Sequence, residues 1–287
     1  MTRRRTVVLA SAVVLLALGL VTGVTLVAVT QTSFGQNLVR DFVQRELAAR
    51  IQGRLYVGRI SGGLLTGVHV DSLEMRGPDD SLFVATGRLT IAYDPRDLLD
   101  RRLLVAHVRV EHPFVHIKKE PDGTWNYRRI FPRRPSRPTT PGRSIGDFIM
   151  IDSATVRDGA FLLTLPWNPA DSLRGARRDS AVREALARRE TEIRRAGDGF
   201  TRTWRWTDLD AWSSGIRLAH PDSAGRLFRV ARMDVVEHNP PFRFRNLRAD
   251  VRHLGDSVWL DIAHFDLPAS TGSGRGKVVW GSSLPIR

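Results

Sequence analysis

The stretch Thr6–Thr30 constrains this chain most. It reads TVVLASAVVLLALGLVTGVTLVAVT, carries no charged residue and has no polar face. At about 1.5 Å rise per residue it makes a helix of roughly 37 Å, enough to cross a hydrocarbon core of about 30 Å with some tilt. A secretory signal core is shorter, about 7–15 apolar residues, and ends at a small-x-small site; Ala28-Val29-Thr30 is a poor one. A core helix would keep one polar stripe. The stretch is therefore predicted to be an uncleaved transmembrane helix over 6–30. Arg3–Arg5 stand directly before it, and Arg40 is the first charge after it. The basic cluster at the short end keeps residues 1–5 cytoplasmic and sends the body across, although Arg40, Arg45 and Arg50 weaken the bias. The rest of the chain is read as something held beside that membrane.

The chain has 287 residues and no cysteine, which excludes disulfide frameworks, thiolate zinc sites and thiol nucleophiles. The net charge is +14, and Lys118, Lys119 and Lys277 are the only lysines. Such a charge usually points to nucleic acid, which an anchored, exported chain does not meet. Anionic head groups or acidic polymers fit better, and a GC-rich coding sequence explains arginine richness with no partner at all.

Apolar residues at helical spacing (Phe34, Leu38, Phe42, Leu47, Ile51) predict a juxtamembrane amphipathic helix over 31–52. From residue 53 the period changes to two, and a first β segment is expected over 53–131. Leu82–Tyr93 alternates so as to place Phe83, Ala85, Gly87, Leu89, Ile91 and Tyr93 on one face. Leu103–Glu111 sends Leu104, Ala106, Val108 and Val110 one way and His107, Arg109 and Glu111 the other, with Val105 the exception. Pro113 forces an edge or a bend. Residues 132–146, rich in Pro and Arg, read as a linker. A second β segment follows over 147–287. Within it Val156–Phe161 echoes Val110–Val115: in both, an alternating strand meets a Gly/Pro corner and then extends again. Residues 171–196 predict one inserted helix, capped by Asp171 or Ser172. Trp204 and Trp206 share a face. Short connections between the later strands predict antiparallel pairing.

No catalytic or cofactor motif stands out. Gly272–Lys277 has the look of a phosphate loop, but Thr271 replaces the first Gly and Val278 the final Ser or Thr. It reads as a glycine-rich turn. His107, Glu111, His112 and His116 cluster in sequence, but Pro113 divides them, and no metal site is expected. Carboxylates fall singly at turns such as Asp79-Asp80. A non-enzymatic protein without cofactor or metal is the expectation.

The order of features carries a resemblance. An anchor and a juxtamembrane helix lead to Val57-Gly58-Arg59-Ile60-Ser61-Gly62-Gly63-Leu64-Leu65-Thr66-Gly67-Val68. Ser81–Tyr93, Asp97-Leu98-Leu99, Leu103–Val110 with Pro113, and Asp122-Gly123-Thr124-Trp125-Asn126 follow. Over residues 1 to 130 this resembles the N-terminal part of the AsmA-like family, which includes the TamB-type translocation and assembly proteins. The motifs are diffuse strand-and-turn patterns, and the linker and the 171–196 helix look like insertions. The resemblance implies an inner-membrane, single-pass protein whose body is periplasmic. Its fold would be mainly β, a long curved antiparallel sheet forming a groove with one inserted helix. The implied activity is phospholipid transport between the inner and outer membranes, with acyl chains as the partner and no nucleic acid. The alternative is an assembly factor that binds outer-membrane polypeptides by strand addition. Phe83, Ala85, Leu89, Ile91, Leu104, Ala106, Val108 and Val110 are the expected groove-lining or core positions; the pattern does not separate those two roles. Some dozen strands advance a groove by only roughly 60 Å at about 4.8 Å each. That is short of an envelope-wide bridge, so a fragment or a partner-dependent protein is expected.

Overall fold

The computed structural model describes residues 51–63, 67–94, 97, 102–120, 122–132, 148–188, 192–219, 225–238 and 241–279. The expected anchor, all but the last two residues of the juxtamembrane helix and all but the first residue of the linker lie outside them. No helix among the described residues is long and apolar enough to cross a membrane.

The described chain forms one open, mixed, fifteen-stranded sheet and two helices. Four bent segments open it: β1 (Arg54–Val57) with β2 (Ile60–Gly63), β3 (Gly67–Val70) with β4 (Leu73–Arg76), β5 (Leu82–Thr86) with β6 (Leu89–Tyr93), and β7 (Leu103–Glu111) with β8 (Phe114–Lys118). Each segment pairs antiparallel with the one before, at both of its halves. Then β9 (Ile149–Trp167) runs parallel to β7 and β8, with Val110 opposite Val156 and Val115 opposite Phe161. β10 (Ile193–Ala196) turns into β11 (Gly199–Ala219). β12 (Arg226–His238), β13 (Pro241–Leu254), β14 (Ser257–Leu267) and β15 (Ser270–Val279) continue as an antiparallel meander.

The expectation of antiparallel pairing throughout is corrected at β7–β8 against β9. A parallel neighbour requires the chain to return to its starting end. The connection from Lys119 to Phe148, which contains helix α1 (Asn126–Ile130) and the Pro/Arg-rich stretch, makes that return. The echo between Val110–Val115 and Val156–Phe161 falls on this junction, where the two segments lie side by side in register.

The long segments bend, and one set of bends lines up across the sheet; Gly215 and the register shift between Ala92 and Tyr93 mark further irregularities. The first three occur at Gly58, at Asp71-Ser72 and at Gly87, which donate or accept across the row: Gly58 N–H to Ser72 O at 2.8 Å, Gly87 N–H to Glu111 O at 2.8 Å. The later ones carry residues in the left-handed region: His112 (φ 50°), Asp158 (50°), Asp208 (50°) and Asn246 (53°). Asp, Asn and His are the side chains that tolerate this conformation best. Each bend is a bulge that inserts one residue and reverses the alternation of faces. On β9, Val156 and Gly159 therefore share a face: a Cβ on Gly159 would lie 3.2 Å from Val156 Cγ1 and 3.4 Å from Leu209 Cβ.

The sheet folds toward this face along the row of bends. Leu55 and Val57 before the first bend meet Ile60 and Val70 beyond it in one buried cluster. The result is a trough whose floor is the seam of bulges. One wall, from β2, β3, β6, β7 and the first half of β9, is aliphatic. The other, from β1, β4, β5, β8, the second half of β9 and the first half of β11, becomes aromatic away from the buried cluster.

Two further corrections concern local structure. Helix α2 covers Gly175–Ala187 only, and Ile193–Ala196 of the expected 171–196 helix is strand β10. Gly197, at φ 56°, makes the hairpin turn that pairs these residues with the start of β11. The cap of α2 is Arg174 without a side-chain hydrogen bond, not Asp171 or Ser172. The glycine-rich stretch 270–276 is not a turn but most of strand β15. Glycine serves there because the Phe265 ring lies against the strand: a Cβ on Gly272 would sit 2.4 Å from its Cζ.

Candidate functional site

The inner face of the trough is the candidate site. On its aliphatic wall the ladder sets Leu89 against Val110 and Ile91 against Val108. Val108 faces Ala154 and Val110 faces Val156 on β9. Leu89, Ile91, Leu104, Val108 and Val110 are half-buried, and Ala106 is exposed. Leu89, Ile91, Val108 and Val110 thus share one wall, whereas a further irregularity at Ala92–Tyr93 and Gly215 sets Leu104 in the row of Met150, Arg217 and Leu227 on the other face.

Ala85 does not join them. The bulge at Gly87 reverses the alternation between β5 and β6, so Val84, not Ala85, shares the inner face with Leu89. The register confirms this: Val84 pairs Val115, which pairs Phe161 on the inner face, whereas Ala85 pairs Phe114. Phe83 is the unpaired residue at a register shift between β4 and β5; it is 7% exposed, and its ring meets that of Phe131 at 6.1 Å. A strict period of two across Leu82–Tyr93 overlooks the inserted residue.

The opposite wall is the part that sequence patterning assigned no role. Phe161 packs on Trp206 at 5.3 Å, Trp167 on Phe200 at 5.9 Å, Phe242 on Phe244 at 4.7 Å and Phe244 on Phe265 at 5.6 Å. Such edge and offset geometries are favourable for aromatic rings. The readable signal was the spacing of two in Trp204–Trp206 and Phe242–Phe244. Polar groups interrupt this wall at Glu237, 3% exposed, and at Arg202, whose guanidinium lies 4.8 Å from the Trp204 ring. Among the described residues no second layer covers the trough. Away from the buried cluster and Glu237 most side chains along both walls are half-buried, and α2 buries none of its own residues.

The outer face is polar by the same alternation. Arg229 pairs with Asp250 and Arg275 with Asp261, each at 3.3 Å. His116 Nε2 meets Thr164 Oγ1 at 2.9 Å, and Thr164 meets Thr203 at 2.8 Å. Burial, aided by Lys118, pushes the His116 imidazole below its ordinary pKa. Beside the seam, burial opposes ionisation of Asp234, but the Asn246 N–H and the Arg232 guanidinium outweigh it and hold the carboxyl below its usual range. Asp266 is lowered first by the Asn246 side chain at 2.7 Å, then by His264 at 2.8 Å. The sequence-clustered histidines have separate partners: His107 takes Ser153 at 2.8 Å, His112 faces Asp158 at 3.4 Å and His116 takes Thr164. No group of three or more metal-capable side chains occurs among the described residues.

What fold and site define is a class: an open, trough-shaped mixed sheet, apolar inside and charged outside. No protein-family model matches the chain, and no curated protein matches it in sequence.

Proposed function

We propose that this protein carries phospholipid between membranes, with acyl chains in the trough and head groups in water, and that it does so without catalysing a reaction. Thr6–Thr30 tethers it to the inner membrane with the sheet in the periplasm, in the manner of the AsmA-like proteins it resembles. The observation that supports this most is the uncovered apolar inner face. The ten strands along the main path of the sheet span about 43 Å at about 4.8 Å each. A hydrocarbon core of about 30 Å contains two layers of acyl chains, so chains fit lengthwise along the seam. Each methylene removed from water contributes about 0.8 kcal/mol, which needs no polar pocket and tolerates sliding.

The test is native mass spectrometry of the protein purified in mild detergent. The wild type is expected to retain phospholipid, and Val108→Asp and Ile91→Asp to lose most of it with unchanged circular dichroism. Equal lipid occupancy in folded wild type and variants would sink the proposal.

A second reading is favoured by one feature. Among the described residues β15 pairs only with β14, and its other edge is exposed. An extended polypeptide, such as an outer-membrane protein under assembly, fits there by strand addition. Gly274→Pro would abolish peptide crosslinking to β15 in that case and leave lipid occupancy alone.

A further inference from the structure

At the strand ends of β11 to β14 a cavity of ≈ 660 Å³ is lined by Arg217, Arg226 and Arg252 together with Leu227, Leu254 and Trp259. The ladder places Arg217 beside Leu227, Leu227 beside Arg252, and Arg252 beside Trp259, so the row is built by register and not by chance side-chain reach. Lys277, the next residue of the row, puts its Nζ 5.1 Å over the Trp259 ring. No carboxylate lines this cavity.

The neighbouring arginines behave differently. Arg229 and Arg275, one step along the same strands, are neutralised by Asp250 and Asp261. Among the described residues Arg217, Arg226 and Arg252 form no ion pair, and Arg217 Nε is buried with no hydrogen-bond partner. Two guanidinium groups, Arg217 and Arg252, flank Leu227 on one face and repel each other, and a buried N–H without an acceptor is unfavourable. An oxyanion removes both defects. Guanidinium forks suit phosphate in particular, because two parallel N–H donors match two phosphate oxygens.

We infer that this cavity binds a phosphate group, its oxygens accepting from Arg217 and Arg252, with the apolar lining taking what the phosphate carries. The phosphate belongs either to a lipid head group or to a free anion. If it is a head group, the site holds the polar end of a lipid at the edge of the sheet; that extension rests on the transport reading, whereas the phosphate site itself does not.

The experiment is calorimetric titration of the full-length protein in non-ionic detergent with three probes. These are inorganic phosphate, dihexanoyl phosphatidic acid and dihexanoyl phosphatidylcholine, all below their own aggregation limits. Phosphatidic acid is expected to bind at least about tenfold more tightly than phosphatidylcholine. Arg217→Gln and Arg252→Gln should each weaken it by about tenfold or more, and Arg252→Lys by less, as charge without the fork would. Inorganic phosphate binding as tightly as phosphatidic acid supports the site with a free anion as its ligand. Phosphatidic acid binding well beyond phosphate supports it with a lipid. Equal binding of the two lipids, or a folded Arg217→Gln/Arg252→Gln double variant that binds phosphatidic acid and phosphate as the wild type does, overturns the inference. Val108→Asp serves as the separator. It should leave phosphate binding intact even where it strips lipid from the trough, so failure of the trough and failure of this site are read independently.

Discussion

Asn126 stands in for a missing strand. Its Oδ1 accepts from the Lys118 N–H at 3.0 Å and its Nδ2 donates to His116 O at 2.7 Å, and the residue is 8% exposed. The side-chain amide thus completes the edge of β8 past the end of β5. Asn126→Ala would leave a buried donor and acceptor without partners, and is expected to lower stability by about 2–3 kcal/mol in urea unfolding. Asp158 is a second such residue. It holds φ 50° at the bend of β9, and its N–H donates to Asp210 Oδ1 at 3.1 Å. Asp158→Gly should be nearly neutral, because glycine takes this conformation freely. Asp158→Val should cost about 2 kcal/mol, since a branched side chain is strained there. Thermal denaturation of the pair distinguishes a demand on the backbone from a demand on the carboxylate.

Between elements, the seam joins β13 to β14 through Asn246 and Asp266. The folded Asp266 carboxyl titrates below its usual range, chiefly through the Asn246 hydrogen bond. An unfolded Asp titrates near about 3.9. With the folded value lower, ionised Asp266 favours the fold at pH above about 4, and that contribution disappears as pH falls through the folded value. Asp266→Asn should therefore melt earlier than wild type at pH 6, and the two curves should converge by about pH 2.5. Helix α2 is the opposite kind of element. Its main packing among the described residues is on β10, and it buries no residue. Replacing 172–188 by a flexible Gly/Ser link of similar length should change unfolding by less than about 1 kcal/mol, because closing such a loop costs little more whatever its sequence.

As a whole the molecule is a sheet with one face left half-covered. A domain of this length ordinarily buries that face against another layer. Here the burial is concentrated where the walls meet, at Leu55, Val57, Ile60 and Val70. Stability should then depend on what lies in the trough. Stripping lipid is expected to lower the melting temperature by several degrees, as loss of any ligand bound to the native state does. Adding lipid back should restore it, and in Val108→Asp the two preparations should melt together. A melting temperature indifferent to lipid would mean that the trough is stable empty.

By itself the sequence determined the β character and the pairing of faces within short runs such as Leu89 with Ile91 and Val108 with Val110, because period-two alternation reports which residues share a face. It also showed the echo between Val110–Val115 and Val156–Phe161, since both segments must pass a left-handed or proline corner. Only the tertiary structure decided that these two segments lie parallel, because pairing direction depends on a crossover whose course no local pattern encodes. It also decided that Ala85 and Leu104 leave the wall of Leu89, Ile91, Val108 and Val110, and that Phe161, Trp206, Phe242 and Phe265 complete the opposite wall. The physical reason is the bulge. An inserted residue reverses the faces beyond it, and the row of bulges across the sheet is a property of strands in register, which a chain read one segment at a time does not display.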